Sequence, residues 1–451
     1  MSGDNAPDTT RSLEGVQGGD QVAVRGDGQL SAGELEAHLA GLLELPHIAL
    51  FFGAGSSLSA GGWTLRKIGG EFHSRTRDDP TTDAQAREAR RTVERAGVDF
   101  SDVEKAWTTL STLEQLPQGC MADGLPEAAN TCRKLLLATL IRGALLGRTT
   151  QANSRAHAGE GSEAGRRVGV SVPAHRDILR KVLMSRRPGQ PAPWVFTTNY
   201  DLAIEAALEA EGTAVVNGFR GTHDRTFTPR VFDLGWYSTE ARGEARFGNT
   251  YVYLAKLHGS LSWLRHAGDV VEVAFPELKS ALDSFVDDPL HAGEPPVVLI
   301  PPAAGKYLNT VGFVQGELFR RLAEFTAQPN SAMLVNGYSL SDPHIDRLLL
   351  GALQNPTFHL VIGAFDYRVG GDGLEPKHER LRNEKLEHLA RLRHPGVTIV
   401  TGQSADFQAF AASLPDPARL DAQAQEMQRQ LKRLLATNPP GRERGQQSDA
   451  E

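Results

Sequence analysis

The feature that most constrains this chain is a set of short apolar runs. They are Pro46–Phe52, Trp194–Thr197, Tyr251–Leu257, Pro296–Ile300, Ala332–Asn336, Phe358–Gly363 and Val397–Val400. A short continuous apolar run, rather than an alternating one, suits a strand covered on both faces, as in a parallel sheet. Helical patterns lie between several of them. Alternating strand and helix points to an α/β fold, a Rossmann-like doubly wound and mostly parallel sheet.

The intervening stretches organise the chain. Residues 1–30 lack periodic apolar positions and read as a disordered tail. Ser31 is placed to cap a helix carrying Leu35, Leu39, Leu42 and Leu43, with Glu34 completing a capping box. Residues 63–180 are helix-rich and read as an insertion between the first and second strands. Within it, 151–167 reads as a mobile Gly/Ala/Ser/Arg-rich loop. Residues 220–249 read as a long loop with little sheet. This leaves 31–62 and 181–415 as the sheet domain, 416–437 as a C-terminal helix and 438–451 as a polar, disordered tail. Leu420, Ala424, Met427, Leu431 and Leu434 form one apolar stripe on that helix. Docking on the parent domain and an oligomer or partner contact both remain open for it.

Composition removes several classes of function. The chain has 451 residues and a formal net charge of −7, so no dominant electrostatic footprint for nucleic acid is expected. Cys120 and Cys132 are the only cysteines, too few for a disulfide framework or a four-thiolate zinc site. No metal is expected. The N-terminus has no apolar signal region and no run reaches the length of a membrane span, so a soluble, cytoplasmic protein is expected.

Chemistry concentrates at the ends of the apolar runs. Gly53-Ala54-Gly55-Ser56-Ser57 follows the first run and is either a tight turn or a loop whose amides approach a pyrophosphate. The third glycine of a dinucleotide fingerprint is absent from its usual place. Thr197-Thr198-Asn199-Tyr200-Asp201 supplies either helix caps or polar groups at a ligand-binding strand end. Lys256-Leu257-His258-Gly259-Ser260 places a histidine at a strand end, as a structural residue or a general base. Gly337-Tyr338-Ser339-Leu340-Ser341-Asp342-Pro343-His344 turns a strand into a helix, with Asp342 the expected N-cap. Each is ordinary alone. Together they would build one rim at the carboxyl edge of a sheet.

In their order and spelling, these four motifs resemble the sirtuin-like family, and the last three resemble its bacterial branch more than its deacetylase branch. The resemblance spans about residues 45 to 365. It implies NAD as the ligand, with Gly53, Ala54, Gly55, Ser56 and Ser57 near the pyrophosphate. It implies Asn199 beside the nicotinamide ribose, with Thr198 and Asp201 shaping that pocket. His258 would be the catalytic histidine, and Gly337, Tyr338 and Ser339 would lie near the adenosine half. Two departures speak against protein deacylation. The four-cysteine zinc module of the deacylases is missing. Their Gly-Ile-Pro-Asp-Phe-Arg stretch is replaced by Gly61-Gly62-Trp63-Thr64-Leu65-Arg66. The resemblance therefore implies an NAD hydrolase giving nicotinamide and ADP-ribose, acting in anti-phage defence. It further implies latency, a homo-oligomer and a co-encoded partner such as a helicase-like ATPase or an Argonaute-type protein. The competing readings are a regulatory module that binds NAD or ADP-ribose without catalysis, and a transferase or deacylase acting on protein.

Overall fold

The computed structural model describes residues 21–77, 82–115, 124–146, 170–236, 239, 251–295, 297–299, 311–365 and 377–417. Fourteen strands occur among them: β1 Gln21–Arg25, β2 Gly28–Ser31, β3 His47–Phe52, β4 Trp194–Thr197, β5 Ala214–Val216, β6 Phe219–Arg220, β7 Arg225–Phe227, β8 Tyr251–Lys256, β9 Gly259–His266, β10 Asp269–Glu272, β11 Val297–Leu299, β12 Ser331–Asn336, β13 Phe358–Ala364 and β14 Val397–Thr401. The helices are α1 Ala32–Leu43, α2 Leu65–Thr76, α3 Ala84–Arg95, α4 Val103–Glu114, α5 Leu125–Ala144, α6 Pro173–Met184, α7 Ala203–Ala210, α8 Phe275–Asp287, α9 Val311–Thr326, α10 Pro343–Ala352, α11 Lys377–Arg391 and α12 Phe407–Ser413.

Nine strands form the main sheet in the order β2-β1-β14-β13-β12-β3-β4-β8-β5. The seven from β14 to β5 are parallel, and β1 joins β14 antiparallel. Side chains alternate between two buried layers, which is why the central runs are apolar throughout. Ile48, Leu50 and Phe52 face a core shared with α1, α6, α7 and α12. Ala49 and Phe51 face a core shared with α9, α10 and α11. The sheet is therefore an α/β doubly wound sheet, as the pattern of runs implies. Its order reverses between β3 and β12, and in such sheets the crevice beyond the strands' carboxyl ends at that point is where ligands bind.

Helix α1 begins as expected: Ser31 and Glu34 form a reciprocal capping box, and Leu35, Leu39, Leu42 and Leu43 are buried. Helices α2 to α5 and α8 enclose a separate apolar cluster around Leu110, Cys132, Ala138 and Phe285. Among the described residues no helix is long and apolar enough to cross a membrane.

Four expectations need correction. Residues 21–31 are the paired strands β1 and β2 rather than part of a disordered tail; Ala23 alone is buried on β1, too little to show a pattern. Residues 219–227 form β6 and β7 of a second, five-stranded sheet, β11-β9-β10-β7-β6, and are not a plain loop. The run at 296–300 does not enter the parallel sheet. Its described part, β11, pairs antiparallel with β9. Finally, α6 does not belong with the helical insertion ending at 180, because Ile178, Leu179 and Val182 are buried in the core of the main sheet. The loop at 151–167, the C-terminal helix from 418 on and the tail at 438–451 lie outside the described residues.

One buried group gives the fold a pH dependence. His175 on α6 is 1% exposed, packs against the rings of Phe52 and Phe407 at 5.9 and 4.6 Å, and has neither ring nitrogen hydrogen-bonded among the described residues. Burial pushes its pKa down to about 4, against the pull of Asp201. The imidazole is neutral in the folded chain, whereas the unfolded chain takes up the proton near the ordinary imidazole value. Stability is therefore full above that value and falls with pH toward about 4, by up to about 1.4 kcal/mol per pH unit. His175→Phe should flatten the acid limb of a melting-temperature profile. An unchanged slope would show that His175 does not carry it.

Candidate functional site

Strands β12, β3, β4 and β8 are neighbours in the sheet, and all four strand-end motifs leave their carboxyl ends. At the reversal point two loops touch through their backbones. The Gly53 amide donates to Asn336 O at 3.0 Å and the Gly55 amide to Gly337 O at 2.9 Å. A Cβ on Gly53 would sit 2.5 Å from Gly337 O and one on Gly337 would sit 2.2 Å from Ser56 N, so the approach requires glycine on both sides.

This packing corrects the expectation for the glycine loop. No α-helix follows it directly; residues Ala54–Ala60 form a 3-10 turn, and α2 starts only at Leu65. The amides of Gly53, Gly55 and Ser56 are all taken by protein carbonyls, and Ser56 Oγ donates to Gly53 O at 2.8 Å. Those three amides and that hydroxyl are not poised toward a pyrophosphate. The Ala54 amide heads the turn, where a helix leaves its donors without an internal acceptor.

The loop instead serves as an anchor for Asn199. Asn199 Nδ2 donates to Gly53 O at 2.9 Å and Ser57 Oγ at 3.0 Å, and lies 3.3 Å from Ser56 Oγ. A carbonyl partner fixes which end is the NH2, so Oδ1 points away and meets no donor among the described residues. Thr197 Oγ1 accepts from the Asn199 amide at 3.0 Å and donates to Phe52 O at 2.8 Å. The Thr198 amide donates to Phe52 O at 3.2 Å. Asp201 is 7% exposed, and its Oδ1 accepts from the Ala203 amide, the first of α7.

His258 lies in the two-residue turn between β8 and β9. It is 3% exposed, and its Nε2 is 3.1 Å from Asp342 Oδ2. Strands β8 and β12 are three positions apart, about 14 Å at ordinary strand spacing, so this bond draws two remote loops over the sheet edge. A carboxylate only accepts, which places the ring proton on Nε2 and leaves Nδ1 as the basic nitrogen. Asp342 Oδ1 accepts from the amides of His344 and Ile345 at 2.8 and 3.3 Å, so the expected N-cap is present. Burial raises the Asp342 pKa, but the His258 hydrogen bond and charge and the two amides outweigh it, and the group is held below the ordinary carboxylate range. The sequence shows the cap and not the partnership with His258.

With that geometry in place, comparison is informative. Residues 193–386 match the family model for the SIR2-like domain. Over that span the chain is similar to SIR2-like domains. The matched span holds Asn199, His258 and Asp342; the glycine loop precedes it. A solved chain from work on the structural basis for the mechanism and regulation of Sir2 enzymes is 14% identical. The match covers 80% of this chain and 99% of that one, at a TM-score of 0.33. No curated protein sequence matches.

The motif that follows β12 divides its residues. Tyr338 turns inward: it is 7% exposed, its ring lies 5.1 Å from Phe51, and its hydroxyl donates to Asp346 Oδ1 at 2.8 Å. Its hydroxyl also accepts from the Asp342 amide at 3.2 Å, so Tyr338 braces the loop from behind instead of facing the cleft. Lys385 pairs with Asp346 and donates to Leu340 O at 2.6 Å. Ser339 is exposed, with its hydroxyl 2.7 Å from Ser341 Oγ. Trp63, just beyond the glycine loop, packs on the helical cluster: its amide donates to Gly143 O at 3.2 Å, and Lys67 Nζ lies 4.6 Å from its ring centre. Among the described residues no group of three or more histidine, cysteine, aspartate or glutamate side chains is arranged to hold a metal.

Proposed function

We propose that the chain binds NAD across the carboxyl ends of β12, β3, β4 and β8 and cleaves its nicotinamide–ribose bond with water. The observation that carries this reading is the pairing of His258 with Asp342 beside an Asn199 whose Oδ1 is left open. The match of residues 193–386 to the SIR2-like family model supports NAD as the substrate.

The chemistry needs little from the protein. Loss of nicotinamide leaves an oxocarbenium-like ribose carbon, as in glycoside cleavage. The bonding pair leaves with the pyridinium nitrogen, so nicotinamide departs neutral and no acid is required. Water forms the new bond at the ribose carbon, and its proton passes to His258 Nδ1. Asp342 faces the opposite nitrogen and stabilises the imidazolium that results. Asn199 Oδ1 accepts from the attacking water or a ribose hydroxyl. With only Cys120 and Cys132 in the chain, there is no thiolate set for the zinc module of protein deacylases.

Such an activity would drain a cell of NAD, so we take it to be latent and released by a partner or by assembly, in anti-phage defence. The helical cluster of α2 to α5 is the surface for that contact, since it reaches the site through Gly143 and Trp63. The test is chromatographic product analysis of the purified chain with NAD, alone and with cell extract from phage-infected hosts, beside Asn199→Ala. Nicotinamide and ADP-ribose in equal amounts, reduced at least about 10²-fold in the variant, are expected in one of the two conditions. NAD left intact in both, despite saturable binding, would favour a regulatory NAD-binding module instead.

A further inference from the structure

We propose that Lys256 is a positioning residue for the cleavage, acting by holding the main-chain bend that aims Asn199 into the cleft. This rests on the reading of Asn199 given above.

A lysine at the end of a buried strand is costly unless its ammonium is fully satisfied. Lys256 is 2% exposed, and its Nζ meets three acceptors, matching its three N–H bonds. It donates to the main-chain oxygen of Asp201, lies 3.5 Å from that of Tyr200, and bonds Glu205 Oε1 at 2.8 Å. Tyr200 and Asp201 directly follow Asn199, in an irregular bend between β4 and α7. Their carbonyls turn toward β8, where a backbone polar group needs a partner. Tyr200 O also accepts from the Leu261 amide at 3.0 Å, beyond the His258 turn. One ammonium thus clamps the Asn199 bend to the strand that delivers His258, two residues further on. Asn199 is held from the front by the glycine loop and from behind by Lys256.

Glu205, in the first turn of α7, supplies the counter-charge. Burial pushes its pKa up and Lys256 opposes that. A positioning role and a mere counter-ion role can therefore be separated. Glu205→Gln leaves the ammonium on both carbonyls. Lys256→Met with Glu205→Gln removes both charges together and leaves no buried unpaired ion.

The experiment measures three things for the wild type, Glu205→Gln and the double variant. They are kcat and KM for NAD under the condition that supports turnover, the thermal melt, and hydrogen exchange over residues 197–203. Glu205→Gln should stay within about threefold of wild type in kcat. The double variant should melt cooperatively near Glu205→Gln, keep KM within about threefold, and lose at least about tenfold in kcat. Its exchange over 197–203 should speed at least about tenfold while Glu205→Gln stays slow. Wild-type kcat and wild-type exchange in the double variant would reduce Lys256 to a counter-ion of Glu205. A double variant without a cooperative melt would assign it a structural role and overturn the proposal. If the wild-type chain cleaves no NAD in any condition, the reading of Asn199 falls. Exchange then decides alone whether Lys256 holds the bend.

Discussion

His258→Ala will lower NAD cleavage by about 10³-fold while leaving NAD affinity within about threefold, because a positioned base contributes roughly 10²–10⁴ to such a step. The side chain is 3% exposed, so the cavity left by alanine matters. His258→Gln, which keeps a polar group of similar reach, separates that packing loss from the chemistry. Asp342→Asn is the companion. Asparagine caps helices as well as aspartate does, so α10 keeps its start. The anion facing Nε2 is lost, and with it both the tautomer that leaves Nδ1 basic and the charge that balances the imidazolium. A loss of about 10²-fold in kcat, with an unchanged melt, is expected. The measurement is kcat and KM by nicotinamide release. Wild-type turnover in His258→Ala would remove the imidazole from the chemistry. Wild-type turnover in Asp342→Asn would make the 3.1 Å contact a structural one.

Gly337→Ala carries the largest expected cost to the fold. Gly337 has φ +70°, which an L-residue adopts at a penalty, and its added Cβ would lie 2.2 Å from Ser56 N and 2.8 Å from Gly55 C. Both contacts are backbone, so no side chain can swing aside. Relief requires the β3 and β12 loops to separate, which breaks the hydrogen bonds from the Gly53 and Gly55 amides to Asn336 O and Gly337 O. Left-handed strain of about 1–2 kcal/mol together with two hydrogen bonds of about 1 kcal/mol each sums to about 3–4 kcal/mol. That corresponds to a melting temperature lower by about 6 °C for a domain of this size. Asn199 is tied to the same loop, so turnover should fall with it. Gly70→Ala is the control. It sits in α2 with nothing within 4 Å of its Cβ, and should be neutral or slightly stabilising. Equal melts for Gly337→Ala and wild type would show that the loops are not locked together.

The central strands were legible because both faces of each are buried. Ile48 to Phe52 and Ala332 to Val335 read as apolar throughout for that reason. Edge and second-sheet strands carry a weaker signal. β1 buries Ala23 alone, and β6 and β7 are two and three residues long. The valines of β11 show a strand but not its direction, which is set by pairing with β9. At the site, Asn199 and His258 stood out because polar residues end apolar runs. The link from His258 to Asp342 spans 84 positions and is created by the sheet order, so no local pattern announces it. Lys256 did leave a trace, a charge closing a buried strand, whose partners lie in another loop. Tyr338 misled in the opposite sense. Its place in a polar turn suggests a ligand contact, whereas its ring belongs to the core beside Phe51.

The most direct measurement is a crystal structure of the chain with ADP-ribose. The expected density lies across the carboxyl ends of β12, β3, β4 and β8, with the free ribose carbon between Asn199 Oδ1 and His258. Density elsewhere, for example in the apolar cavity of about 290 Å³ lined by Leu340, Leu349, Ile362 and Leu389, with the strand-end cleft empty, would contradict the NAD site itself.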